Sequence, residues 1–345
     1  MKVLYAIQGT GNGHLARARE IVPYLKKKCE VDVLISGTQF DIDFSFDIKY
    51  CFKGLGFVFG KKGGVDIWNT YIKTKLKRFR KEVKSLPVTD YNLVINDFEP
   101  VSAWAAMKMK IPCISLSHQC ALIGKNVPKA KKSDPFSSFI LKNYAPSHKS
   151  VGFHFVGYSK NIFTPIIRTE IRNIERTEKE HYTVYLPSFN DEKLLNIFSE
   201  FENEKWQIFS KHNKGPFKKR NIEILPLSND AFINSMAASK GVICGAGFET
   251  PAEAMYLGKK LLVVPMSNQF EQHYNAAALK TLGVKVIKKI NKINYPKIKE
   301  WIDSDFKIEI EYPDITNTVI NRVFEIYVDN ILKMKLSKRK LNLKI

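Results

Sequence analysis

Residues 243–279 read ICGAGFETPAEAMYLGKKLLVVPMSNQFEQHYNAAAL. The short apolar run Gly241-Val242-Ile243-Cys244 is a buried strand. It delivers the chain to Gly245-Ala246-Gly247, whose lack of bulk lets a diphosphate approach the backbone. A helix predicted from Thr250 to Leu257 follows, and its first N–H groups point back at the same place. Glu253 lies about one turn into that helix on the side facing the cleft. A carboxylate there can accept hydrogen bonds from both hydroxyls of a ribose. Gly258 ends the helix. The next strand, Leu261-Leu262-Val263-Val264, stops at Pro265, and Asn268, Gln269, Glu271, Gln272 and His273 gather at its carboxyl end. Several amides beside a carboxylate suit the hydroxyls of a sugar.

The same alternation extends in both directions. Upstream, Val3–Ile7 reads as a strand, Gly9-Thr10-Gly11-Asn12-Gly13 as a tight loop, and Leu15, Ala18, Val22 and Leu25 as one face of a helix that Pro23 should kink or shorten. Val31–Ile35 is the next strand. Leu93–Asp97 ends in an acid, and Ile111–Ser117 ends at His118 and Gln119. Val151–Phe155 reads as the last strand of this half, and Pro165 marks a linker. A second set then begins, with strands at 183–186, 206–209 and 222–225 and helices at 192–201, 230–238 and 270–282. Ser228 is a candidate N-cap. A terminal helix spans 316–336 with Val319, Val323, Ile326 and Ile331 on its apolar face. The fold class is α/β, two facing doubly wound halves with a cleft between them. The expected domains are residues 1–166, 167–315 and a helix from 316 to 345 that packs back on the first.

The stretch 243–279 resembles the donor-binding segment of GT-B glycosyltransferases, closest to the peptidoglycan lipid-intermediate N-acetylglucosaminyltransferase type and its uncharacterised relatives. GTGNGHLARAREI (9–21) is similar to the glycine loop that opens their acceptor domain, and NDFEP (96–100) and LPSF (186–189) also match. The resemblance implies a nucleotide-sugar donor, with uridine diphosphate the default, and an inverting, metal-independent transfer. By similarity, Gly245, Ala246 and Gly247 hold the diphosphate, Glu253 the ribose, and Gln269, Glu271 and Gln272 the transferred sugar. Leu225 to Ser228, Leu227 among them, line the nucleobase. Gly11 and Gly13 of the loop, Ser188 of the turn and Phe248 complete the candidate donor set. The pair Gln272-His273 stands where better-known enzymes have two glutamines, which leaves the sugar open. Ser117-His118-Gln119-Cys120 replaces an acidic variant, which leaves the acceptor open.

Such a reaction needs a base for the acceptor proton. His14, at a helix start that disfavours its protonated form, and Asp97, at a strand's carboxyl end, are the two candidates, with His118 third. An epimerase using the same donor pocket, and a basic binding protein with dead chemistry, are the alternatives.

Composition sets the frame. The 345 residues exceed one ordinary core, and 44% hydrophobic content is enough for two. Fifty-five Lys+Arg against 34 Asp+Glu leave a net charge of +21, which is either compositional or matched to an anionic partner. The five cysteines show no CxxC spacing and are odd in number, which favours a reducing compartment and argues against a zinc site. No signal peptide or membrane span is read, so the cytoplasm is expected. The seven histidines lack ligand spacing, and Asp41-Ile42-Asp43 and Asp303-Ser304-Asp305 read as solvated loops, so no metal or other cofactor is expected. No aromatic-plus-basic RNA motif is present, and no nucleic acid is expected as a partner. Ile72, Leu76, Phe79, Val83 and Leu86 form an apolar stripe among the lysines and arginines of 73–84. Such a helix either packs on its own domain or lies on an anionic membrane, together with the tail 333–344, where a lipid-linked or other glycan acceptor would be found.

Overall fold

The structure is a computed structural model that describes residues 1–37, 46–55, 76–130, 135–213, 215–267 and 269–342. Asp41, Asp43, Ile72 and Asn268 lie outside the described residues.

Two sheets carry the fold. The first holds β1 (Lys2–Gln8), β2 (Glu30–Ser36), β3 (Tyr50–Phe52), β4 (Leu93–Asp97), β5 (Cys113–Ser117), β6 (Lys149–Phe153) and β7 (Ile162–Phe163). Their order is β3-β2-β1-β4-β5-β6-β7, parallel throughout. The second holds β8 (His181–Tyr185), β9 (Lys205–Ser210), β10 (Phe217–Lys219), β11 (Ile222–Pro226), β12 (Gly241–Cys244), β13 (Lys260–Val263) and β14 (Lys285–Val286). Their order is β10-β11-β9-β8-β12-β13-β14, parallel apart from the β10–β11 pair. The central strands β1, β4, β5, β8, β12 and β13 are buried along most of their length, as their near-continuous apolar runs require.

Each sheet has one point where successive strands run off in opposite directions. In the first it lies between β1 and β4, with Ile7 beside Asp97. In the second it lies between β8 and β12, with Tyr185 beside Cys244. Loops leaving the carboxyl ends there are splayed apart, which makes the ligand crevice of an open α/β sheet. The glycine loop before His14, Asp97, the 186–190 turn and Gly245–Gly247 all sit at those two points.

One apolar cluster joins the halves. It runs from Val3, Ile7, Leu15 and Ile95 through Phe153 and Phe155 to Val242, Phe248 and Leu279. The terminal helix Thr316–Asn342 adds Val319, Ile320, Val323 and Ile326 to the same cluster and packs on the helix Asn12–Lys26.

Several expectations need correction. The helix Asn12–Lys26 is not shortened by Pro23, which is exposed within it. Val151–Phe155 is not the last strand of the first sheet; β7 follows it at the edge. β10, β14 and the helix Tyr295–Asp303 gave no signal: β10 is exposed throughout, β14 has 2 residues, and the helix buries only Ile298 and Trp301. In the helix Leu76–Ser85 the stripe turns inward. Phe79 is buried, and Val83 packs with Leu86 and Ala106 of the domain core, while Lys77, Arg80, Lys81 and Lys84 face solvent.

Candidate active site

The first half of the site grows out of β1. Gly9 N–H donates to the Ser36 carbonyl at 2.7 Å, which pins the loop to β2. Gly11 then takes φ 107°, a left-handed turn that favours glycine, and the helix begins at Asn12. This places His14 in the first turn, aimed at the end of β4. His14 Nδ1 lies 2.8 Å from Asp97 Oδ1. Asp97 is fully buried. Burial would raise its carboxyl, but Arg17 and then His14 beside it hold it below the usual carboxylate range. Arg17, one turn past His14, donates to Asp97 from Nε at 3.1 Å and from Nη2 at 2.9 and 2.8 Å. A carboxylate at 2.8 Å assigns the proton to Nδ1, so Nε2 carries the lone pair. Gln119 Nε2 sits 3.3 Å from that lone pair and donates to Glu271 Oε2 of the other half at 3.2 Å.

The second half grows out of β12. The chain leaves the sheet at Gly245, whose N–H donates to the Tyr185 carbonyl at 3.3 Å. Around Gly247 nothing stands within 4 Å of where a Cβ would be, so its backbone is open. The helix Glu249–Tyr256 starts there with no side-chain cap. Gln272 reaches in from the neighbouring helix Phe270–Thr281, and its Oε1 accepts from Ala246 N at 3.2 Å and Met266 N at 2.9 Å. That oxygen therefore fixes the loop. Gln269 keeps a buried Oε1 with no partner among the described residues, and so does Gln119. Such orphaned acceptors are costly unless a ligand or water donates to them.

Two carboxylates face this helix start, and both are paired. Glu253, 3% exposed, accepts from Arg168 Nε at 2.6 Å and Nη2 at 2.9 Å. Glu249 accepts from Arg17 Nη1 at 2.5 Å, across the cleft. Burial pushes the Glu249 carboxyl up to about 7, against the pull of Arg17. Burial is the largest influence, and the carboxylates of Glu253 and Asp97 add to the rise. Gly13 faces Glu249 so closely that a Cβ there would stand 2.9 Å from its Cγ. The cleft is closed at this point.

Two candidates are not brought to the cleft. His118 is fully buried, stacked on the Phe248 ring with centroids 3.9 Å apart. Its Nδ1 lies 2.8 Å from the Phe153 carbonyl and its Nε2 2.8 Å from Asn275 Oδ1. Burial lowers its pKa, and neither nitrogen is open to an acceptor. The Phe248 ring is likewise packed inside, against His118 and Phe155, so only its backbone can meet a donor. Leu225 and Leu227 are half-buried and Ser188 is exposed, at the carboxyl ends of β11 and β8. Asp303 and Asp305 are exposed, and among the described residues no three His, Cys, Asp or Glu side chains group as metal ligands.

The Glycosyl transferase family 1 model matches residues 1–304. The chain belongs to that family. No curated protein matches it. Among solved structures it is similar to the glycotransferase of kitacinnamycin, at 11% identity and TM-score 0.57 over 98% of both chains. It is also similar to Acinetobacter baumannii MurG, at 13% identity and TM-score 0.53 over 88% of this chain and 91% of that one. A third is Phytolacca americana UGT2, complexed with UDP-2fluoro-glucose and pterostilbene, at 13% identity and TM-score 0.56 over 95% and 99%. These likenesses show the GT-B fold.

Sequence reading of this glycosyltransferase missed four residues that the fold places at the candidate site. Arg17, Glu249, Arg168 and Asn275 each act through a partner 80 or more positions away, or across the cleft, where spacing carries no signal. Arg17 alone left a trace: it lies one helical turn from His14, on the same face.

Proposed function

We propose that this glycosyltransferase moves a sugar from a nucleoside-diphosphate sugar to an acceptor hydroxyl, with inversion and with His14 as general base. The observation that carries the reading is the 2.8 Å contact of His14 Nδ1 with Asp97 at the mouth between the sheets, opposite an uncapped helix start. The acceptor oxygen attacks the anomeric carbon as its proton passes to His14 Nε2. Asp97 stabilises the imidazolium that forms. The bond from the anomeric carbon to the phosphate oxygen breaks, and the diphosphate leaves with the electron pair. The N–H groups after Gly247 already point at the growing charge, so no reorganisation is needed and no metal is called for.

In this reading Gly245, Ala246 and Gly247 seat the diphosphate, and Leu225 and Leu227 flank the base. Glu253 takes the ribose once Arg168 lets go of it. Gln269, Glu271 and the Nε2 of Gln272 meet the sugar, a hexose or N-acetylhexosamine. Gly11, Gly13 and Ser188 complete the donor set, and the halves, 1–166 and 167–315, close over it. Uridine nucleotides come first because the solved Phytolacca complex holds one. The acceptor is proposed to be a lipid-linked glycan of the cell envelope at the cytoplasmic membrane face. Exposed Lys77, Arg80, Lys81 and Lys84, with Trp104 and Met107 on the helix packed beside them, offer a basic and apolar face for it. Among the described residues no helix is long and apolar enough to cross a membrane.

The test is thermal stabilisation by a panel of nucleotides and nucleotide sugars, since a ligand bound only to the folded chain raises its stability. A uridine nucleotide should raise Tm, and Glu253→Ala should remove that shift. A panel with no stabilising nucleotide overturns the reading; a shift that survives Glu253→Ala overturns the ribose assignment.

A further inference from the structure

We propose that Arg17 is the positioning residue of the proton-accepting pair: it fixes Asp97, sets the basicity of His14 and senses the charge of Glu249 across the cleft. The inference rests on the general-base reading above. The guanidinium is 3% exposed and lies over the Phe153 ring, 5.4 Å from its centroid. Nε and Nη2 hold both oxygens of Asp97, Nη2 is 3.2 Å from His14 Nδ1, and Nη1 holds Glu249. A core ion pair needs one acid. This fork engages two, and the second is the first residue of the helix that faces the donor. Only a planar, five-donor cation spans both.

Asp97 at the end of β4, Glu249 on the donor helix and Glu271 behind Gln119 all favour a protonated His14. Arg17, touching the same edge of the ring, opposes them. Tyr5 and His118, the other titratable groups close by, stay neutral because burial disfavours their charged forms. Arg17 thus sets a cation against the acids that surround the His14 ring. It also keeps Asp97 ionised, so that Asp97 accepts the hydrogen bond from Nδ1–H and the lone pair is left on Nε2, which Gln119 Nε2 meets at 3.3 Å. Ionisation or displacement of Glu249 alters what remains of the Arg17 charge for His14. Events at the donor helix thereby reach the base.

The signs are distinct. Without the cation, His14 is left among carboxylates and its protonation midpoint rises. Without the Glu249 charge, the midpoint falls. The experiment is an NMR titration of the His14 ring in the ligand-free protein, wild type against Arg17→Met, Arg17→Lys and Glu249→Gln, with His14→Gln to assign the resonance. Arg17→Met should move the midpoint up by about half a unit or more, and carry the acid limb of the kcat/KM profile with it. Arg17→Lys keeps the charge and should leave the midpoint near wild type, while kcat falls roughly tenfold for want of the two-pronged grip on Asp97. Glu249→Gln should move the midpoint down only slightly, because burial pushes the Glu249 carboxyl up to about 7 and leaves it largely neutral where an imidazole titrates. An unmoved midpoint in Arg17→Met, whatever happens to activity, overturns the proposal. Should Arg17→Met not fold, a midpoint displaced in the charge-keeping Arg17→Lys does the same. The titration needs no substrate, so failure of the donor reading in the nucleotide panel is separate from failure of this one.

Discussion

Replacing Glu249 by Gln should make the ligand-free protein more stable at pH 8 and leave it nearly unchanged at pH 5. The carboxyl is pushed from its usual 4.5 up to about 7, first by burial, with Arg17 pulling the other way and Glu253 adding to the rise. At about 1.4 kcal/mol per unit, ionising Glu249 in the folded chain costs about 3 kcal/mol. The sign follows from linkage. An acid raised in the folded state binds its proton more tightly there than in the unfolded chain. The stability it contributes is complete below about pH 4.5 and is lost as the pH climbs through about 7. Gln has the shape of the neutral acid and cannot ionise, so the variant escapes that loss. Calorimetric Tm of wild type and Glu249→Gln should therefore diverge between pH 5 and pH 8, ending roughly 4 °C apart in favour of the variant. Parallel Tm curves would refute the burial argument. A variant less stable than wild type at pH 8 would mean that the Arg17 contact outweighs desolvation.

Three further outcomes follow from the same geometry. His14→Ala should lower kcat by about 10²–10⁴-fold, with stabilisation by nucleotides intact, since the ring serves proton transfer and not donor binding; an equal loss of nucleotide binding in a shift assay contradicts this. Asp97→Asn should cost a comparable factor in turnover and also destabilise the fold by about 3 kcal/mol, because it takes from the buried Arg17 the acid that accepts three of its hydrogen bonds and leaves it Glu249; a denaturation midpoint equal to wild type argues against that. Asn275→Leu removes the partner of His118 Nε2 and of the Ala246 carbonyl, which Asn275 Nδ2 reaches at 3.1 Å, and should destabilise by about 1–3 kcal/mol. Tm is the measurement, and a neutral result would show that the two halves do not depend on this contact.

What the sequence could and could not show follows from where each kind of information resides. The sheets were legible because a buried parallel strand must be apolar along its length: Leu93–Asp97 and Gly241–Cys244 are β4 and β12 to the residue. β10 and β14 were not, because an edge strand of two or three residues has no face to bury and leaves no period. The glycine loop and the 245–247 turn were legible because backbone that takes φ 107° or lies open to a ligand excludes side chains, and that exclusion is written in composition. His14 and Asp97 were legible as rivals for one role. Only the fold could join them, since two residues 83 positions apart come within 2.8 Å when β1 and β4 pair with Ile7 beside Asp97.

Glu253 shows where that kind of reading stops. Its place on the helix marks it as a carboxylate able to hold two hydroxyls. In the closed cleft the same two oxygens are held by Arg168, whose own remaining donor goes to Asn229 and Glu170. A pattern of residue types states what a side chain is able to bind. Which partner holds it depends on how far apart the two halves stand. The Glu253–Arg168 and Glu249–Arg17 pairs both stand on the same helix, and on the donor site proposed above a diphosphate entering there meets two arginines already facing two acids. The incoming anion competes for cations that are in place, so the site needs no new charge to receive it, only a change of partner. For that reason donor binding should loosen both carboxylates together, and a donor-bound structure with either pair still closed would separate the ribose role of Glu253 from the cleft-closing role of Glu249.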